Sequence, residues 1–394
     1  MSGITSIKLK KIKNSKNEDT VEATVTTEKN GKGTASSPAG TSAGKREAVF
    51  LPAPAAKLIK QAEKKLVPKL LGVEITDQKK IDGMITKVDG TKNLGKIGGA
   101  VSTAVSIACA KTAASELKKS LYEYLGGNRI PVLLGVCIGG GSHSGQKSTD
   151  FQEFLSIPVG AASIAQAVEI NKKVLKKTGA FLGAKKRDLE GAFVKKMSNE
   201  SALQALESAV CDVSAKEGVE IAVGVDVAAS GLWKSGKYRY EGKTYTPAQH
   251  YENISKMIRN YDIYYIEDPF HEDDFKSHAK LAKEFPNVLV CGDDLFTTNK
   301  KRLEAGIKIK ACNAIIIKPN QAGLLSGVYE TVRLAKNNKY ACVMSHRSGE
   351  TMDDALADLC VGLNLPMMKI GIEGKEREAK TKRLIEIERR KQCK

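Results

Sequence analysis

No uncharged apolar run in the 394 residues reaches the ~18 that a membrane span needs, so no membrane-crossing helix is expected. The start, MSGITSIKLKKIKN, has lysines but no apolar core or small-residue cleavage site behind them, so no secretory signal is expected there. None of the eight cysteines (Cys109, Cys137, Cys211, Cys291, Cys312, Cys342, Cys360, Cys393) forms a C-x-x-C pair. Their scatter argues for reduced, mostly buried thiols in a cytosol and against a disulfide framework or zinc site. Aromatics are scarce at 5%, and no helix-turn-helix or RNA-binding signature appears, so nucleic acid is not the expected partner despite a net charge of +18. No G-x-G-x-x-G opens a strand–helix series, which counts against a dinucleotide fold.

What is present is an ordinary globular composition. With 41% hydrophobic residues the core is ample and global disorder is excluded, and the length suggests two or three domains. Residues 1–150 carry 24 Lys+Arg against 13 Asp+Glu, so most of the positive charge lies in this part. A basic surface attracts small phosphorylated anions as readily as polyanions.

Residues 3–12 and 20–28 read as strands, TVEATVTT alternating like a half-buried hairpin arm. GKGTASSPAGTSAGK, 31–45, reads as too flexible to form an element: either a mobile loop that meets a ligand or a long hairpin loop. From 55 to 125 the pattern is helical, and GGN at 126–128 closes a small α+β N-terminal domain, 1–128. From 129 short apolar runs recur, each ending in a polar or charged residue: Asp226, Glu267, Asp293, Lys318, His346 and Lys369, at steps of 41, 26, 25, 28 and 23. A strand, helix and return need about that many residues. An open doubly wound sheet or a closed (β/α)8 barrel would fit; polar strand ends in succession favour the barrel, whose strand ends converge on one mouth, for 129–394.

Asp226, Glu267 and Asp293 end three successive strands. Each alone could be a helix cap or a rim salt bridge, but together at one mouth they would repel unless a cation sat among them. All-oxygen ligands select a hard ion, Mg²⁺ being the physiological one. Lys318 at the tip of IIIK is expected to have a lowered pKa, from apolar walls and from Lys369 nearby, and so to serve as a general base; neutralisation of the acids is the alternative. In SHRSGE, Arg347 offers a planar fork for carboxylate or phosphate, with Ser348 and His346 as further donors. Metal, base and anion clamp in one mouth describe proton abstraction beside a carboxylate.

YYIEDPFHEDDF (264–275), GDDLFTTNKKRL (292–303), IIIKPNQAG (315–323) and SHRSGETMDDALADLCVGL (345–363) closely resemble the enolase family, with GGGSHSG (139–145), FQEF (151–154) and PAGTSAGKREA (38–48) like its earlier motifs. The resemblance implies an α/β fold, a small α+β domain followed by an enolase-type (β/α)8 barrel, and Mg²⁺-dependent, reversible dehydration of 2-phosphoglycerate to phosphoenolpyruvate. A Lys or His base working with Mg²⁺ is a known pattern of that superfamily. By the same resemblance, two Mg²⁺ would be held by Asp226, Glu267, Asp293 and the loop serine Ser42. Lys318 would remove the C2 proton, Lys369 would contact the substrate carboxylate, and Arg347 and Ser348 would bind phosphate. His143 and His346 match active-site histidines, and Gln152 and Glu153 the pair beside the leaving hydroxyl. A cytoplasmic homodimer is also implied.

The family's general acid lies in a G-D-E-G-G loop, where this chain reads AKKRDLEGAFVKK, 184–196. Glu190 is the best match, with Leu189 where an aspartate is expected. The surrounding Lys185, Lys186, Arg187, Lys195 and Lys196 would tend to keep Glu190 ionised. This departure leaves room for a second reading, a diverged protein with weak or no turnover that binds partners through its basic surface. The intact lysines, SHRS segment and carboxylates weigh against it.

Overall fold

The computed structural model describes residues 2–41, 46–141, 144 and 148–392. β1 (Ile4–Lys13), β2 (Asp19–Thr27) and β3 (Lys32–Ser36) form an antiparallel sheet in that order. β3 corrects the expectation of a loop throughout 31–45. KGTAS has little strand propensity of its own, but β2 supplies the ladder, pairing Glu22 with Ser36 through to Thr26 with Lys32. The helix Gly99–Glu116 packs against this sheet and is buried on nearly every side. Its small residues, AVSTAVSIACA, carry apolar or self-satisfied surface all round, the pattern of a core helix.

The strands β4 (Val132–Gly139), β5 (Glu153–Ile157), β6 (Ala222–Asp226), then, after a small three-stranded sheet of β7 (Trp233–Lys234), β8 (Lys237–Tyr240) and β9 (Lys243–Tyr245), β10 (Ile263–Glu267), β11 (Leu289–Gly292), β12 (Ala314–Ile317), β13 (Ala341–Ser345) and β14 (Met367–Gly371) complete the chain's strands among the described residues. Apart from β7–β9 they close an eight-stranded barrel, β14 pairing with β4 and β6 with β10. Leu134, Leu155, Ile157, Tyr265, Ile316 and Val343 fill its interior. The barrel departs from an even strand–helix alternation in one respect: β5 is antiparallel to both neighbours, and two consecutive helices, Ile164–Leu182 and Asn199–Glu217, follow it. The β7–β9 insertion accounts for the long step of 41 residues between Asp226 and Glu267.

A buried carboxylate ties the helix Gln78–Asp89 to the barrel. Asp82 accepts from Ser106 Oγ (2.7 Å) and Gln78 Nε2 (2.9 Å), and from the N–H of Ser326 (2.8 Å), in the first turn of the helix Leu325–Asn337. Ser106 Oγ in turn accepts the Leu325 N–H at 3.0 Å. Asp82→Ala would leave the Ser326 N–H without this acceptor in the interior, while Gln78 keeps the Ser106 carbonyl and hydroxyl, and an unmet buried group costs roughly 1–3 kcal/mol. Urea unfolding is therefore expected to show a loss of about 2 kcal/mol, with Asp82→Asn losing less because it keeps an acceptor.

Candidate active site at the barrel mouth

Strand direction brings the charged residues together. Asp226 and Glu267 occupy the last positions of β6 and β10 and are registered against each other, and Glu153, at the start of the reversed β5, is registered against Asp226. Lys369 rises from β14 between them, its ammonium 2.7 Å from Glu153, 2.8 Å from Asp226 and 2.8 Å from Glu267. All four side chains are buried. Gln152 donates to Asp226 at 3.1 Å, and the Tyr265 hydroxyl donates to Glu267 at 2.6 Å. Burial and the neighbouring Asp226 charge push Glu267 up to about 8 against the pull of Lys369, and burial raises Asp226 as well.

Beside this cluster Lys318 donates to Asp293, whose other oxygen accepts from Gln321 Nε2 at 2.9 Å. Burial pulls the Lys318 pKa down, but Asp293 more than reverses it, so the net direction is upward. This corrects the expectation of a depressed lysine: burial acts downward as expected, but a carboxylate is in contact and outweighs it. Lys369 likewise stands well above its ordinary value, held by Asp226, Glu153 and Glu267 against its own burial.

After β13 come His346, Arg347 and Ser348, all buried. The Arg347 fork reaches Glu47 at 2.8 Å and Asn320 at 3.4 Å, and Ser348 Oγ lies 2.6 Å from Thr41 Oγ1. The segment 39–41 is strapped onto this loop by reciprocal backbone bonds between Ala39 and Gly349, both 2.8 Å. Gly40 leaves room for the Arg347 guanidinium, which a Cβ, standing 1.8 Å from it, would displace. Glu190 is buried, its carboxylate 3.4 Å from His346 Nε2. Three of the basic residues near it have partners of their own: Arg187 donates to the Gly191 carbonyl and stacks on Phe193, Lys195 turns to the Leu182 carbonyl, and Lys196 pairs with Glu241.

One cavity is lined by Gln152, Glu153, Glu190, Asp226, Asp293, Lys318, His346, Arg347, Ser348 and Lys369, with Glu267 behind Lys369. Ser42 and His143 lie outside the described residues. The same cavity is lined by residues the sequence reading passed over: Glu47, Asp268 and Asp294. Asp268 directly follows the strand-end Glu267 in the E-D-P run, adopts a φ of 41°, and accepts the N–H groups of Asp293 (3.0 Å) and Asp294 (2.6 Å). A positive φ at a non-glycine residue is strained, and here the bonds to the Asp293 and Asp294 N–H groups accompany it. The only available signal was adjacency to an assigned ligand.

The donor set suits a hard divalent cation. Ligand oxygens of Asp268, Asp293 and Asp294 lie within 4.8 Å of one another, and Glu267 Oε1 is buried with no hydrogen-bond partner among the described residues. Oxygen donors alone, without thiolate or imidazole, are what such ions take.

A closed barrel whose mouth gathers carboxylates, two lysines and an arginine fork is the arrangement of an enzyme that moves protons on an anionic substrate. Comparison with known proteins narrows this class. The family model described as "Enolase, N-terminal domain" matches residues 4–125, and "Enolase, C-terminal TIM barrel domain" matches residues 128–392. The chain is 41% identical to the enolase of Methanosphaera stadtmanae, over 98% of this chain and 97% of that protein. It is 42% identical to the enolase of Natronomonas pharaonis over 98% and 99%, and 40% identical to that of Methanothermobacter thermautotrophicus over 98% and 96%. The chain belongs to the enolase family, and its activity is that of a phosphopyruvate hydratase.

Proposed function

We propose that the barrel mouth dehydrates 2-phosphoglycerate to phosphoenolpyruvate with Lys318 and Glu190 as its proton acceptor and donor. The observation that carries this assignment is that both line one cavity with the Arg347–Ser348 anion clamp. Arg347 and Ser348 hold the phosphate, Arg347 exchanging Glu47 for it, and Lys369 contacts the carboxylate. Lys318 takes the C2 proton after its ammonium has released Asp293 and lost its own proton. Glu190 gives a proton to the C3 hydroxyl, which leaves as water, with Gln152 and Glu153 beside it and His346 facing the donor. The proton removed and the proton delivered balance over the turnover. When bound, Mg²⁺, two ions with Asp226, Glu267, Asp293 and Ser42 as the residues that would hold them, supplies positive charge beside the carboxylate as the C2 proton leaves.

No helix among the described residues is long and apolar enough to cross a membrane. A cytoplasmic homodimer acting on a small phosphorylated carboxylate is the setting in which this reading places the chain.

The test is the ultraviolet absorbance of phosphoenolpyruvate formed from 2-phosphoglycerate. Product is expected with Mg²⁺ and none with excess chelator. Absence of product in Mg²⁺, with substrate still raising the unfolding temperature, would reduce the site to a binding site.

A further inference from the structure

The acid-bearing loop carries an aspartate where the family motif G-D-E-G-G has its first glycine, and the motif's own aspartate position is Leu189, which is exposed. Asp188 is not idle. Its Oδ1 accepts the N–H of Glu190 at 2.8 Å and of Ala192 at 3.0 Å, and its own N–H donates to the Ala192 carbonyl at 2.9 Å. The Gly191 N–H closes on the Asp188 carbonyl at 3.3 Å. The turn is also fixed to the barrel. Phe193 donates to the Cys137 carbonyl at 3.0 Å and accepts from Gly139 at 2.9 Å. The second carboxylate oxygen lies against Gly139, where a Cβ would stand 1.9 Å from it, so this end of β4 has to be bare for the carboxylate to seat.

We propose that Asp188 is the positioning residue for Glu190: its carboxylate, wedged against the end of β4, holds the 188–192 turn so that Glu190 faces His346 and the cavity. The proposal rests on the reading of Glu190 as the proton donor. Two backbone donors bound by one anchored oxygen set where the Glu190 side chain begins, and a general acid works only within hydrogen-bond reach of the leaving oxygen. Misplacement by about 1 Å can cost on the order of 10²-fold in rate. Burial and the nearby Glu190 charge push Asp188 up to about 7, which fits a carboxyl enclosed with the group it holds.

The two halves of the reaction separate this role from a merely structural one. In deuterated buffer with Mg²⁺, wash-out of the C2 proton of 2-phosphoglycerate reads the base, and phosphoenolpyruvate reads acid and base together. Asp188→Ala is expected to keep exchange within about threefold while product formation falls tenfold or more, the disproportion expected when only donor placement is lost. Asp188→Asn, which keeps the Oδ1 acceptor, is expected to restore most of the product. If the alanine variant does not fold, Asp188→Ser, with a shorter reach to the two N–H groups, reads the same ratio. Exchange and product falling in parallel, or neither falling, would overturn the positioning role. Glu190→Gln run beside it tells the two ideas apart: exchange without product upholds the donor assignment. Loss of both, or retention of both, sinks that assignment and the proposal with it.

Discussion

Lys318→Ala is expected to lower phosphoenolpyruvate formation by about 10³-fold or more and to abolish C2 exchange with it, since a positioned base contributes roughly 10²–10⁴-fold. That is about 4 kcal/mol of transition-state stabilisation or more. Substrate binding should survive, because the Arg347–Ser348 clamp is carried by the segment after β13 and touches Asn320 and Thr41 rather than Lys318. The variant takes one of the side-chain donors from Asp293, leaving it Gln321, so some stability is lost too. Circular dichroism and the unfolding midpoint separate that loss from the chemical one. A variant that keeps C2 exchange would remove Lys318 from the base role.

The second large effect is expected at Lys369. Its ammonium is the shared partner of Glu153, Asp226 and Glu267, all buried. Lys369→Met keeps the volume and deletes the charge, leaving three carboxylates crowded together. Breaking a buried ion pair from one side costs about 3–5 kcal/mol, so the metal-free variant should unfold at a much lower denaturant concentration. Added Mg²⁺ should recover more stability than it does in the unsubstituted chain. The pH dependence has a definite sign. Glu267 already sits at about 8 and Asp226 is raised, both above the ~4 of an unfolded carboxylate. These two groups therefore hold more protons folded than unfolded between about pH 4 and 8, and their contribution to stability falls as pH rises through that window. Without Lys369 these carboxylates hold their protons more tightly, so the fall should be steeper. A flat profile would mean that the cluster does not interact as the distances indicate.

Much of the barrel was legible because five strands end at or next to a polar residue after an apolar run; the sixth, Lys369, falls in the middle of β14 rather than at its end. Where that signal was missing, the reading stopped. β3 is a strand through its partner rather than its composition, so KGTAS looked like loop. The Arg347–Glu47 pair joins positions 300 residues apart, which no local pattern reveals. The charge state of Lys318 depended on a partner of that kind: an apolar tip is visible in IIIK, but the contact with Asp293 comes from a neighbouring strand. Around Glu190 a run of lysines and an arginine suggested a strong local field; what the run does not show is that Arg187, Lys195 and Lys196 have partners of their own.

The reversal of β5 has a consequence for how this enzyme can vary. Because β5 runs down from the mouth, the helix Ile164–Leu182 climbs back to it and the helix Asn199–Glu217 descends again, so the loop between them arrives at the mouth without a barrel strand of its own. Asp226, Glu267 and Lys369, by contrast, sit directly on the ladder, where a one-residue slip would turn side chains from core to solvent. The 183–198 connection has no barrel strand of its own; what ties it to the barrel is the pair of Phe193 backbone bonds to β4 and the Asp188 carboxylate seated against Gly139. Placement of the acid therefore hangs on a handful of replaceable contacts, while Asp226, Glu267 and Lys369 are set by strand register.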